Sequence, residues 1–134
     1  MAEPILVTLL AALAGGIGAV LRFVLDGAIT SRLARRTRGT AFPWGILVVN
    51  LSGSLCIGVL AGAVAPAHPM AAVLGVGLLG GYTTFSTTSY DTVRLLRRGR
   101  VLAGLSNGLG QLVAAVVLAW FGFALGSLLV SPVF

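Results

Sequence analysis

Residues 80–89 read GGYTTFSTTS and lie inside an apolar segment that is long enough to cross a membrane. Each of the paired glycines weakens a helix by roughly 1 kcal/mol relative to alanine, and the hydroxyl groups that follow compete for backbone hydrogen bonds. The stretch therefore predicts a helix broken between Gly80 and Thr84. Backbone groups released at membrane depth must be buried in protein or line a hydrated cavity, so this break is a candidate ion site.

Composition places the whole chain in the membrane class. Its 134 residues are 57% hydrophobic and 9% charged, with a mean hydropathy of +1.05. At about 20 residues per spanning helix, we predict an all-α integral membrane protein with a single four-helix domain over residues 1–134. The predicted spans cover residues 4–25, 43–64, 70–90 and 101–130, and we expect a polar loop over residues 26–42.

The arginines predict the orientation of these spans. The loops after the first and third spans lie on one side of the membrane and hold eight of the nine arginines. Because basic loops stay in the cytoplasm, we expect both termini outside and a multi-pass location in the cell inner (plasma) membrane. In a chain this apolar the basic charge is a topology signal, so we expect a lipid bilayer and no nucleic acid as its partner.

Several polar side chains fall within the predicted spans. Asn50 is predicted either to hydrogen-bond a neighbouring helix or to donate its amide hydrogens to an anion, and the residues alone leave both open. Asn107 and Gln111 share one face of the last span and need a polar neighbour. Arg22 is either an interfacial anchor or part of an aqueous vestibule.

The acidic residues argue against two other classes of function. Glu3, Asp26 and Asp91 are the only acids, and we place all three at or beyond the span ends. A proton-coupled small-molecule exporter needs a titratable group inside the membrane, so this alternative is weak. The sequence also lacks paired carboxylates and a Ser-His-Asp set, and we predict that the chain is not an enzyme.

Three motifs resemble those of the Fluc/CrcB family of fluoride channels, and the resemblance covers all four spans. They are GGIGAVLR at residues 15–22, VVNLSG at residues 48–53 and GGYTTFST at residues 80–87. The resemblance implies an antiparallel, inverted dimer of four-helix subunits with two pores. It also implies a structural sodium ion at the dimer centre, held by backbone carbonyls of the third-helix breaks.

The family pattern, carried over residue by residue, implies specific roles in this chain. The carbonyls of Gly80 and Thr83 would bind the sodium ion, and a hard cation suits oxygen ligands. Asn50 would donate to fluoride, and Phe85 would present the positive edge of its ring. The other residues implied for the fluoride pathway are Thr84, Thr87, Thr88, Asn107 and Gln111, with Arg22 at the vestibule.

The chain departs from the family pattern in two respects. Thr88 stands where the family commonly has a second phenylalanine. The arginine bias is also strong, although a homodimer of inverted subunits needs chains that insert both ways. We therefore hypothesise a heterodimer with a distinct, oppositely oriented homologue. The implied function is passive export of cytoplasmic fluoride, which lowers fluoride toxicity, and the alternative is a non-conducting structural subunit of such a channel.

Overall fold

A computed structural model describes residues 2–36 and 42–130, and the described chain is helical with short connections. This confirms the predicted all-α class. The helices are α1 (Ala2–Arg36), α2 (Trp44–Ala63), α3 (71–82), α4 (Phe85–Arg97) and α5 (Val101–Val130). Helix α3 is π-helical over Ala71–Leu79 and α-helical over Gly80–Tyr82, and α5 includes a π-helical turn at Ser106–Gly110.

The described helices have the length and surface of a multi-pass membrane protein. Three of them, α1, α2 and α5, are long and apolar enough to cross a membrane. Large apolar side chains point outward, including Leu13, Trp120 and Leu129, which are 68%, 80% and 78% exposed. A water-soluble protein buries most such side chains, whereas these can contact lipid.

Helix α1 is longer than predicted. Residues 26–36 were expected to belong to a loop, but they continue the helix without interruption to Arg36. No proline interrupts this stretch, and the Thr30 hydroxyl donates to the Asp26 carboxylate one turn earlier, at 3.2 Å. At 1.5 Å per residue the 35-residue helix is about 50 Å long, so it extends beyond a hydrocarbon core of about 30 Å. The rest of the predicted loop, residues 37–41, lies outside the described residues.

Small residues let α1 and α3 approach each other closely. A Cβ atom added at Gly81 would overlap the backbone carbonyl of Gly15, and one added at Gly77 would overlap the backbone of Ala11. On α1, Gly18 is packed in the same way against α3. Ala11, Gly15 and Ala19 are spaced four apart in α1, and the first two lie at this contact. Small residues at this spacing are common where helices meet in lipid.

A second close contact joins α2 to α5. Gly58 and Gly62 of α2 face the α5 backbone, and Gly122 and Gly126 of α5 face the α2 backbone. An added Cβ at any of the four would overlap a main-chain oxygen of the opposite helix. This contact holds α5 beside α2, and the polar residues of α5 therefore lie close to the break.

The break lies at the far end of the predicted interval. Gly80 and Gly81 remain helical, while Thr83 (ψ 158°) and Thr84 (ψ 126°) are extended. The prediction of a break between Gly80 and Thr84 is confirmed. Of the two causes predicted, the paired glycines stay helical, and the break begins at the hydroxyl residues. Gly81 is needed for the contact with α1, and the helix ends where hydroxyl side chains begin.

Candidate functional site

The side-chain amide of Asn50 in α2 stabilises the break, because it forms hydrogen bonds with the backbone N–H and carbonyl of Thr84. In a continuous helix the Thr84 N–H would donate to the carbonyl of Gly80. Here it donates to Asn50 Oδ1 at 2.8 Å, and Asn50 Nδ2 donates to the Thr84 carbonyl at 2.9 Å. Because Asn50 is only 7% exposed, its amide supplies the partners that water cannot supply at this depth.

Thr84 then caps the helix that follows. Its hydroxyl oxygen accepts from the Thr87 N–H at 3.3 Å, and the two hydroxyl oxygens lie 3.1 Å apart. This is the usual geometry of a threonine N-cap. The Thr87 N–H would otherwise have served the carbonyl of Thr83, so the carbonyls of Gly80 and Thr83 both lose their helical donors.

Arg22 of α1 reaches the break from the other side. Its Nη1 donates to the Thr83 carbonyl at 3.2 Å. The guanidinium therefore contacts one of the two carbonyls predicted to bind sodium. Neither the predicted anchor role nor the vestibule role of Arg22 is tested by this contact, and both stay predictions.

Two amides converge on the hydroxyl group of Thr88. Asn50 Nδ2 donates to Thr88 Oγ1 at 2.9 Å, and Gln111 Nε2 of α5 donates to it at 3.1 Å. The Thr88 hydroxyl also lies 3.2 Å from the Thr84 carbonyl, to which it donates. All three side chains are at least nine-tenths buried.

Asn107 binds the same helix one turn further along. Its Nδ2 donates to the Thr88 carbonyl at 3.1 Å and to the Thr92 hydroxyl at 2.9 Å. The polar neighbour that Asn107 and Gln111 were predicted to need is therefore α4. Their own side-chain oxygens, Asn107 Oδ1 and Gln111 Oε1, are buried without a hydrogen-bond partner, so each can still accept a hydrogen bond.

A cavity of about 200 Å³ lies against the break. It has room for several molecules of the size of water, at about 30 Å³ each. Phe85, the first residue of α4, stands at this cavity with 81% of its side chain exposed. The polar residues that line it are Asn50, Ser54, Thr83, Thr84, Thr88 and Gln111.

Comparison with known proteins identifies the family. A family model described as "CrcB-like protein, Camphor Resistance (CrcB)" matches residues 9–123. The chain belongs to the CrcB-like family. The predicted resemblance is confirmed.

Curated members of the CrcB-like family are similar over nearly their whole length. "Fluoride-specific ion channel FluC 1" of Leifsonia xyli subsp. xyli is 43% identical over 131 residues, which cover 95% of this chain and 91% of that protein. "Fluoride-specific ion channel FluC" of Solibacter usitatus is 42% identical, with 85% and 93% covered. The protein of the same name from Thermus thermophilus is 40% identical, with 92% and 97% covered. Their names describe ion channels, in agreement with the prediction that this chain is not an enzyme.

The structure brings five of the predicted pathway residues to one cavity. These are Asn50, Thr84, Phe85, Thr88 and Gln111. Two others, Thr87 and Asn107, do not line that cavity. Thr87 forms hydrogen bonds with Thr84, and Asn107 donates to Thr88 and Thr92. What each residue does to an ion remains a prediction.

The sequence did not predict two contacts near the break. The hydroxyl groups of Tyr82 and Ser52 lie 3.0 Å apart, and Thr92 accepts from Asn107 as described above. Thr92 lies one helical turn after Thr88, so the helical period places it on the same face of the helix and could have indicated this contact. The Tyr82–Ser52 pair joins two helices, and one sequence contains no signal for it.

Proposed function

We propose that this chain is a subunit of a passive, fluoride-selective channel that lets cytoplasmic fluoride leave the cell and so lowers fluoride toxicity. The observation that carries the proposal is the set of buried amide and hydroxyl groups that meets at one cavity beside the break. The names of the three relatives support it.

The donors at the cavity suit an anion that only accepts hydrogen bonds. Amide N–H and hydroxyl groups replace the water that a fluoride ion loses when it leaves solution, and Phe85 can present its positive ring edge. Hydrogen fluoride crosses membranes as a neutral acid and dissociates in a less acidic cytoplasm. The trapped anion then needs only a conducting exit, and its own gradient drives it out.

An antiparallel dimer with a second four-helix subunit is part of the proposal. Phe85 is one of the most exposed aromatic side chains among the described residues, although it stands beside the buried network. A partner that packs over this face covers Phe85 and completes the wall of the cavity. Phe85 then lies at an interface between subunits and not in lipid.

We also propose a structural sodium ion at the carbonyls of Gly80 and Thr83. The donor set fits, because both carbonyls have lost their helical N–H groups to side chains and neutral oxygens suit a hard cation. The ion would neutralise carbonyl dipoles where two breaks meet. Arg22 donates to the Thr83 carbonyl in the single chain, so the ion would share that carbonyl with the guanidinium.

The proposed location is the cell inner membrane with the basic segments in the cytoplasm. The end of α4 and the turn after it hold Arg94, Arg97, Arg98 and Arg100, which favours one orientation. A chain inserted in one orientation needs a distinct, inverted homologue to form an antiparallel pair. The arginine bias therefore supports a heterodimer.

A non-conducting structural subunit is the second candidate function. It is favoured by the way Thr88 and Asn50 use their hydrogen-bonding groups within the chain, because the donors of these two side chains are already occupied there. In that case fluoride flux requires the chain but survives changes to its Asn50 and Phe85.

The test is efflux from liposomes that contain this chain alone, or this chain with an inverted homologue. A fluoride electrode measures fluoride release, and chloride release from matched vesicles is the control. We expect fluoride-selective release that Phe85→Ala reduces at least tenfold, about 1.4 kcal/mol of barrier. Release that survives Phe85→Ala and Asn50→Leu supports the structural subunit, and equal release of chloride contradicts the proposal.

A further inference from the structure

A groove extends along the outer face of α4 toward the carboxyl end of that helix. It is a cavity of about 510 Å³ lined by Ser89, Tyr90, Val93, Arg94, Arg97 and Arg98. Residues 90, 93, 94, 97 and 98 are spaced three and four apart, so they share one face of the helix. Phe85 does not line this groove, and Arg94 follows it by about two and a half helical turns. The groove and Phe85 therefore lie on different faces of α4.

The lining of the groove changes from apolar to cationic along the helix. Tyr90 and Val93 come first and are 68% and 48% exposed, and Arg94, Arg97 and Arg98 follow at the end of α4. An aromatic ring with a polar tip is typical of the boundary between hydrocarbon and lipid headgroups. A lipid with an acyl chain and an anionic headgroup matches this order of groups.

Two features place the arginines of the groove at the depth of the lipid headgroups. Arg94 follows Thr84 of the break by ten residues, about 15 Å of helix, so a break at the membrane centre places Arg94 at the edge of a hydrocarbon core of about 30 Å. The rings of Phe42 and Trp44, with centroids 4.7 Å apart, line a second cavity with Arg100, just after α4. Aromatic side chains at the end of a span mark the membrane interface.

Two of the three arginines have no acidic partner among the described residues. Arg94 lies 3.6 Å from Asp91, but no described acid forms an ion pair with Arg97 or Arg98. The whole sequence has nine arginines and three acids, so a second copy of the chain would bring more positive charge than negative. The anion that balances this cluster has to come from outside the chain.

We infer that the groove of α4 binds an anionic phospholipid of the surrounding bilayer. Arg97 and Arg98 donate charge-assisted hydrogen bonds to its phosphate group, and its acyl chain lies along Val93 and the ring of Tyr90. The bound lipid neutralises part of the arginine cluster and fixes the end of α4 at the membrane surface. This ligand is distinct from fluoride, and the inference does not depend on the proposed function.

The fold holds the backbone beneath these arginines in place. The Arg100 N–H donates to the Leu95 carbonyl at 3.0 Å, and Gly99 has a φ of 73°, which glycine adopts without steric cost. Leu95 is only 2% exposed and anchors the turn on the inner side. Because the backbone at Arg97 and Arg98 is already fixed, lipid binding restricts side chains but little main chain.

The test compares the binding of phosphatidylglycerol and phosphatidylcholine to the purified, full-length chain in detergent by native mass spectrometry. We expect the unmodified chain to bind phosphatidylglycerol at least about tenfold more tightly than phosphatidylcholine. Arg97→Gln and Arg98→Gln should each weaken phosphatidylglycerol binding about fivefold, the usual contribution of one arginine at an anionic membrane surface. Equal affinity of the unmodified chain for the two lipids would overturn the inference.

Arg32→Gln is the matched control for general attraction to a cationic protein. It removes the same charge from an exposed position of α1 that does not line the groove. In about 0.15 M ammonium acetate, which screens distant charges, it should weaken phosphatidylglycerol binding less than about twofold. All three substitutions change exposed side chains, so the variants should fold as the unmodified chain does. Equal losses in Arg32→Gln and Arg98→Gln would overturn the site.

Soluble competitors distinguish a lipid from a free phosphate. Inorganic phosphate and glycerol 3-phosphate have the anion without the acyl chain, and at the concentration of the lipid they should not displace phosphatidylglycerol. Displacement by either would overturn the lipid as the ligand.

The binding measurement and the efflux measurement fail separately. Absent phosphatidylglycerol preference in a chain that releases fluoride overturns this inference alone. Specific phosphatidylglycerol binding by a folded chain that releases no fluoride in any pairing supports this inference and overturns the proposed function.

Discussion

The glycines of α3 and the hydroxyl groups that follow them lie close together in the sequence but shape the chain in opposite ways. Gly77 and Gly81 keep their helical conformation and let α1 approach until backbone meets backbone. Thr83 and Thr84 leave the helix because an amide and a hydroxyl take over their backbone partners. In this segment, small residues set the packing distance, and side-chain hydrogen bonds decide where the helix ends.

The largest expected effect comes from removing the amide that holds the break. Asn50→Leu leaves the Thr84 N–H buried without its acceptor, and we expect a loss of stability of about 2 to 4 kcal/mol. Thermal unfolding in detergent measures it. Ser54→Ala is the control, since Ser54 lies one turn further along α2 and lines the same cavity. A loss in Asn50→Leu no larger than in Ser54→Ala would show that other contacts make the break.

The next effect tests whether a glycine in α3 is needed for the close contact with α1. Gly81→Ala puts a methyl group against the Gly15 carbonyl, and we expect a cost of about 1 to 3 kcal/mol. Gly16→Ala is the matched control, because no atom of another described helix lies within 4 Å of a Cβ added there. It should be neutral or slightly stabilising, by up to about 1 kcal/mol. If both variants melt alike, close packing is not what Gly81 provides.

The smallest effect concerns the Arg22 guanidinium, which contacts the break. Arg22→Met removes the donor to Thr83, and we expect a loss of about 1 kcal/mol, since the side chain is only part-buried. The loss should be smaller in sodium chloride than in a salt of a large organic cation, if sodium binds the same carbonyl. Arg32→Met, an exposed arginine of the same helix, should show no such dependence. Identical melting in both salts would speak against sodium at Thr83.

Much of the architecture follows from the sequence. Apolar length and composition predict the spanning segments. The small residues around Gly15 and Gly58 lie at helix contacts, but the sequence does not say which helices meet there. The hydroxyl run locates the break to within a few residues. Asn107 and Gln111 were correctly expected to need a polar neighbour, because an unpaired amide is costly in lipid. For Asn50 the sequence left open both a hydrogen bond to a helix and donation to an anion.

Other features depend on contacts between segments that are distant in sequence. The sequence alone did not show that Gly81 remains helical, because its reason is the Gly15 backbone of another helix. The polar residues after residue 25 predict a loop, but no proline lies among residues 26–36, and α1 continues through them to Arg36. The hydrogen bonds of Asn50 and Gln111 to Thr88 depend on how α2 and α5 pack against α4. The pattern of one sequence does not show that packing.

The most direct test of the account is fluoride efflux, with chloride efflux as reference, from liposomes that contain the unmodified chain or Asn50→Leu. Each form is measured alone and with an inverted homologue. The account predicts fluoride-selective release by the unmodified chain in at least one of these assemblies, and a fall of at least about a hundredfold in Asn50→Leu, or 2.7 kcal/mol or more of barrier. Release that does not distinguish fluoride from chloride, or no release from folded protein in either assembly, would contradict it.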